Sequence, residues 1–270
     1  MATFVLNEKD GREKTALSSE YAQIWFDNRS KGTTIEIGLS NPPLNPARPN
    51  KPELVRASEV PRRRPNTFNG QIAILHSIAH IELNAVDLHW DIIARFANIQ
   101  MPVGFYDDWV KSAQEESNHF NLICDCLEEL GIYYGDLTAH DGLWQAAIDT
   151  RDDLLGRLAV VPMVLEARGL DVTPNMIRLF EKAKLKNAVK ALKTIYEEEV
   201  SHVAYGSKWF NFLCGRNNLD PKIEFHRLVT KYFNGFLKPP FNEEKRADAG
   251  LPPDFYWPLA DQLNINTSYK

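Results

Sequence analysis

Apolar residues recur three and four positions apart through four long stretches of this chain, and each stretch carries a glutamate inside its apolar stripe. Glu82 shares a face with Leu75, Ile78, Ala79, Ala85, Val86 and Ile93, and Glu116 with Trp109, Ala113, Phe120 and Ile123. Glu166 lies with Leu155, Leu158, Ala159, Met163 and Leu170, and Glu199 with Leu192, Ile195, Val203 and Phe210. The pattern predicts helices over about 68–98, 104–130, 143–168 and 185–214. Thr67 or Asn69 is the expected N-cap of the first, and Gly131 and Gly169 are expected to stop the second and third. Thr173-Pro174 reads as a cap followed by proline at a first helical position, opening a short helix to about 185. Asp220-Pro221 should start a further helix to about 236, and Asn242-Glu243-Glu244 repeats the same capping logic.

The ends of the chain read differently. Residues 1–40 are mixed, with a short helix expected over Ser18 to Asn28. Residues 41–66 hold seven prolines and should be extended. The expected division is an N-terminal arm over 1–66, extended or partly helical, and a helical bundle over 67–270. The last part of that bundle, LPPDFYWPLA, should lie over it as an ordered strap.

Glutamates within apolar stripes are costly unless something pairs with them. Here the partner is written into a repeat. Glu115-Glu116-Ser117-Asn118-His119 and Glu198-Glu199-Val200-Ser201-His202 share the pattern Glu-Glu-x-x-His, 83 positions apart. Glu116 follows Glu82 by 34 positions and Glu199 follows Glu166 by 33. Residues three apart share a helix face, so each Glu-x-x-His can grip one ion. Four carboxylates, two neutral imidazoles and two divalent cations balance in charge, whereas four bare carboxylates would repel and protonate. Oxygen and nitrogen donors without thiolate suit iron or manganese and do not separate the two; iron is taken first, with manganese or a mixed pair also fitting. The expected metal ligands are Glu82, Glu116, His119, Glu166, Glu199 and His202.

Around them, Glu115 and Glu198 stand one turn before a ligand histidine, placed to orient its second ring nitrogen or simply to face water. Tyr196 and His89 are candidate catalytic groups on nearly the ligand faces, against the plainer reading of hydrogen-bonded core residues. His76 and His80 face away from Glu82 and are not counted as ligands. Pro162 should bend the third helix just before Glu166. Gly206 either opens space towards the metals or lets two helices pack closely. Arg62-Arg63-Arg64 and the lysines from Lys182 to Lys193 read as solvated faces.

Composition narrows the class. With 44% hydrophobic residues in 270, a substantial core can be buried. A net charge of −5 argues against a nucleic-acid-coating surface. Three cysteines make no disulfide framework, and no stretch has the length of a membrane span, so a cytoplasmic protein is expected.

The stretches AHIELNAVDLHWD (79–91), YGDLTAHDGLW (134–144), LEARGLDVTP (165–174), HVAYGSKWF (202–210) and LKPPFN (237–242) resemble an uncharacterised ferritin-like family known as a domain of unknown function. The resemblance spans about residues 45–260. It implies an all-α, ferritin-like four-helix bundle with added C-terminal helices, and the six metal ligands named above. A more distant likeness, through the ligand pattern, is to the bacterial di-iron tRNA hydroxylase, and it implies an oxygenase. The resulting expectation is a di-metal oxidoreductase acting on a small-molecule or nucleoside-type substrate, with an electron donor, as a monomer or homodimer. The alternative is a non-catalytic metal-handling or structural protein.

Overall fold

Every regular element in the computed structural model is helical among the described residues, 1–33, 35–233 and 236–260. The class is all-α with bundle-like helix packing, and the only β pairing among those residues is two isolated bridges. No helix among them is long and apolar enough to cross a membrane. The chain divides into two compact units, one of Met1–Gln145 with Leu179–Ala191, the other of Ala146–Arg178 with Leu192–Lys270.

The first unit is built on α1 (Ala2–Asn7), α2 (Gly11–Ser30), α3 (Phe68–Arg95) and α4 (Val103–Glu129). Helix α3 starts where Thr67 Oγ1 accepts the Gly70 N–H at 3.1 Å. Helix α4 ends before Gly131, whose φ of 74° takes the chain into the left-handed turn that glycine favours. The long apolar faces of α3 and α4 pack on one another, burying Leu75, Val86, Trp109 and Ile123 among others.

The N-terminal segment departs from the arm that the sequence suggested. Twenty residues form α2 rather than the eleven expected, because Asp10 caps the backbone N–H groups of Arg12 and Glu13. Helices α1 and α2 then pack on α3 and α4. The proline-rich segment is largely non-helical, yet it is tied down. Arg95 donates to Pro43 O at 2.7 Å, Trp144 Nε1 to Leu44 O at 3.1 Å, and the Val55 N–H to Ala139 O at 2.8 Å. Beneath it lies an ion pair that no local pattern predicts. Lys14 Nζ sits 2.5 Å from Asp87 Oδ1 and also donates to Ala47 O, with both side chains almost fully buried. Burial pushes the Asp87 carboxyl up to about 6 despite the attraction of Lys14.

The second unit contains α6 (Leu154–Val160), a π-helical turn (Val161–Glu166), α9 (Pro221–Tyr232), α10 (Glu243–Asp248) and α11 (Pro253–Tyr256). Helices α5 (Gly142–Asp149), α7 (Ala167–Lys182) and α8 (Lys186–Arg216) supply residues to both units. The expected single helix over 143–168 is in fact interrupted. Asp153 caps the Gly156 N–H at 2.9 Å and starts α6 afresh. The buried Arg157 ties the break shut by donating to Thr150 Oγ1 and Ala147 O.

Conversely, Gly169 does not end a helix and Thr173-Pro174 does not open one; α7 runs through them to Lys182. Proline has no N–H to offer the carbonyl four residues back, here that of Leu170. Asn242 Nδ2 donates to that carbonyl at 3.1 Å instead, so the interruption is satisfied from outside. The chain turns only at Lys184, with φ of 62°. Asn242 caps α10 as expected, through Lys245 N. Helix α9 ends at Tyr232, while Asn234 and Gly235 of its expected end, and the last ten positions of the expected bundle, lie outside the described residues.

Candidate metal centre

The paired Glu-x-x-His pattern produces one Glu/His triad in each unit. In the first, α3 supplies Glu82 and α4 supplies Glu116 and His119, with donor atoms within 4.8 Å of one another. His119 Nδ1 lies 3.4 Å from Glu82 Oε2 and 3.3 Å from Glu116 Oε2. All three are almost fully buried among Ala113, Phe120 and Ile123 of α4 and the apolar face of α3. Burial, and then the neighbouring Glu116 carboxylate, push the Glu82 carboxyl well above the ordinary glutamate range, against a smaller opposing pull from His119.

In the second unit, Glu166, Glu199 and His202 bring their donor atoms within 4.8 Å. His202 is fully buried and its Nδ1 lies 3.7 Å from Glu199 Oε2. Glu166 closes the π-helical turn, where the Ala167 N–H reaches back five residues to Pro162 O. Pro162 frees the carbonyl four residues before it, and the wider turn is the form the expected bend takes. Both triads offer carboxylate oxygens and imidazole nitrogens at the spacing a divalent cation needs, and all but the half-buried Glu166 are buried, so a Glu/His set that can hold metal ions is present.

The other predicted residues are placed less simply. Glu115 pairs with Lys111, 3.5 Å away on the outer side of α4. Glu198 is half-buried beside Glu199. The Tyr196 hydroxyl accepts a hydrogen bond from Asn242 Nδ2 at 2.7 Å. His89 is buried with its ring 5.2 Å from that of Trp109. His76 and His80 hold the loop after α4. His76 Nε2 accepts from Gly135 N at 3.0 Å, while His80 bonds the Tyr134 hydroxyl and His140 O. Burial depresses both imidazoles to about 4, which favours the neutral form, as acceptance of the Gly135 N–H by His76 requires.

Gly206 does not open a space. A Cβ there would meet Pro162 Cβ and Cγ at 2.5 Å, so the glycine lets α8 lie directly against the π-helical turn. Gly206→Ala is therefore expected to destabilise by about 1–3 kcal/mol through overpacking, measured by urea unfolding. An unchanged unfolding midpoint would show that the contact relaxes freely.

Sequence reasoning missed the charged pair behind this turn. Arg246 donates to Asp171 from Nε at 2.9 Å and from Nη2 at 2.7 Å, both side chains being buried. The partners are 75 positions apart, with no local signal linking them.

Comparison with known proteins agrees with this picture and adds no activity to it. Residues 7–257 match the family described as "Protein of unknown function (DUF455)". An "Uncharacterized protein" of Haemophilus influenzae is 42% identical over 208 residues, covering 75% of this chain and 72% of the relative. No solved structure gives a match.

Proposed function

We propose, from the premise that this chain belongs to the DUF455 family, that it binds two divalent metal ions and is an oxidoreductase using oxygen or peroxide on an organic substrate. The observation that carries this reading is the duplicated triad: Glu82, Glu116 and His119 in one unit, Glu166, Glu199 and His202 in the other. One ion per triad gives two per chain. The repeated ligand pattern in the sequence supports a ferritin-like assignment. Iron is taken as the first candidate, with manganese or a mixed pair also fitting, since carboxylate and imidazole donors without thiolate suit both metals and do not separate them.

Bound there, a redox-active pair of ions would supply electrons to oxygen or peroxide. The chain's own residues do the rest. Carboxylates neutralise the ions, and the apolar stripes around them keep water out. Glu82 holds a proton more tightly than an exposed glutamate, so an arriving ion must displace it and binding weakens in acid. A small-molecule substrate and a separate electron donor complete the proposal, in a cytoplasmic monomer or homodimer.

Ferrous iron added to the apo-protein under oxygen separates this from storage. An enzyme is expected to oxidise about two irons per chain and then stop without substrate and reductant. Continued consumption of iron far beyond that ratio, in a cage-sized particle, would overturn the proposal.

A further inference from the structure

The C-terminal segment touches the second unit within about a turn or two of every ligand in its triad. Ala167, Leu170 and Asp171 follow Glu166 by one, four and five positions, and all three are held by this segment. Arg246 Nη2 donates to Ala167 O at 3.4 Å, and its forked bonds to Asp171 fix the guanidinium in plane. Asn242 Nδ2 donates to Leu170 O, and the Asn242 N–H donates to Asp171 Oδ1 at 2.9 Å. Tyr196, three positions before Glu199, accepts from the same Asn242 amide. Ser207, five positions after His202, donates to Gly250 O at 2.7 Å.

These contacts converge on the least regular part of the unit. Ala167 is the first residue beyond the π-helical turn. Its N–H closes the last wide loop of that turn, and its carbonyl is met by Arg246. The guanidinium cannot shift easily, since the rings of Phe241 and Tyr256 lie 4.9 and 4.6 Å from it. A π turn is rarely stable by itself, so an outside clamp at its exit fixes where Glu166 points.

We infer that residues 238–256 form a latch that sets the ligand geometry of the Glu166, Glu199 and His202 triad, with Arg246 and Asn242 as positioning residues. The inference rests on the metal-binding reading above. It predicts that loosening the latch degrades one metal site and spares the other, although no ligand has been removed.

The test titrates full-length apo-protein with cobalt(II) alone, following the visible absorption of the bound ion. Asn242→Ala and Arg246→Lys are compared with Tyr232→Phe, which deletes a 3.0 Å hydrogen bond to Asp153 elsewhere in the unit. Each latch variant is expected to weaken one of two cobalt(II) sites about 10–100-fold and to shift its absorption bands. Tyr232→Phe should leave both sites as they are. Helical circular dichroism checks folding, and Asn242→Ala decides the matter if Arg246→Lys does not fold. Parent-like affinity and spectrum in the latch variants would overturn the latch alone. Equal weakening in Tyr232→Phe would also overturn it, by showing a general loss of stability. A parent that binds no cobalt(II) would overturn the metal reading and the latch together.

Discussion

Stripping the metal ions is expected to lower the melting temperature at pH 7 by on the order of 10 °C, and by progressively less as the pH falls. The magnitude follows from linkage, since an ion held at 1,000 times its Kd stabilises by about 4 kcal/mol. In a chain of this size each kcal/mol is worth about 2–4 °C. The pH dependence follows from Glu82, whose folded-state carboxyl titrates well above its ordinary 4.5. A group raised in this way favours the folded apo-protein below the unfolded pKa, and that support is lost as pH rises through the folded pKa. The metal-loaded protein needs the carboxylate deprotonated and so behaves in the opposite sense. The gap between the two melting curves should therefore widen as the pH rises above the ordinary glutamate range.

Glu82→Gln sharpens this test. It removes the buried charge but keeps the shape, so the apo-protein should melt higher than the parent at neutral pH while stabilisation by added metal falls away. Paired melting curves with and without iron or manganese measure both effects. A variant whose apo form melts lower than the parent's would show that the Glu82 charge is not a burden on the empty fold.

Lys14→Met should destabilise the protein by about 3–5 kcal/mol, although it touches no proposed ligand. The change leaves Asp87 buried without the ammonium that lies 2.5 Å from it. Asp87 already titrates up to about 6 in the folded protein, so stability from this site is fullest below about 4 and declines as pH rises through 6. Loss of Lys14 pushes that pKa further up, and the penalty should be largest above pH 7 and shrink in acid. The double variant Lys14→Met with Asp87→Leu removes both charges and should regain much of the loss. Urea unfolding of the two single variants and the double variant measures the coupling. Strictly additive losses would mean that the pair contributes nothing as a pair.

The triads were legible in the sequence because their information is local. Glu116 with His119, and Glu199 with His202, are three residues apart, and helical periodicity alone puts them on one face. The caps at Thr67 and Asn242 and the glycine turn at Gly131 were legible for the same reason. The failures share the opposite cause. Pro174 lies within α7 because Asn242, far along the chain, satisfies the carbonyl it frees. Arg48 binds Asn84 at 2.6 Å and Lys14 Nζ binds Ala47 O, and these distant partners tie down a segment whose prolines indicated only that it would not be helical. The break before α6 lies within an otherwise good apolar stripe, where Asp153 outcompetes the periodic pattern. Local rules locate the Glu-x-x-His pairs; contacts across tens of residues determine the structure around them.

The π-helical turn at Val161–Glu166 bears on how this chain can vary in length. A wide turn spends one more residue than an α turn over the same rise, so it behaves as an insertion absorbed without breaking the helix. Deleting one residue there would let the segment return to the α repeat with the helix on either side keeping its phase, while the residues inside the turn, Glu166 among them, would be re-aimed. Glu166 would leave the Glu199 and His202 side even though every ligand was still encoded. A single-residue deletion within the turn is therefore expected to cost metal binding although it removes none of the Glu and His side chains.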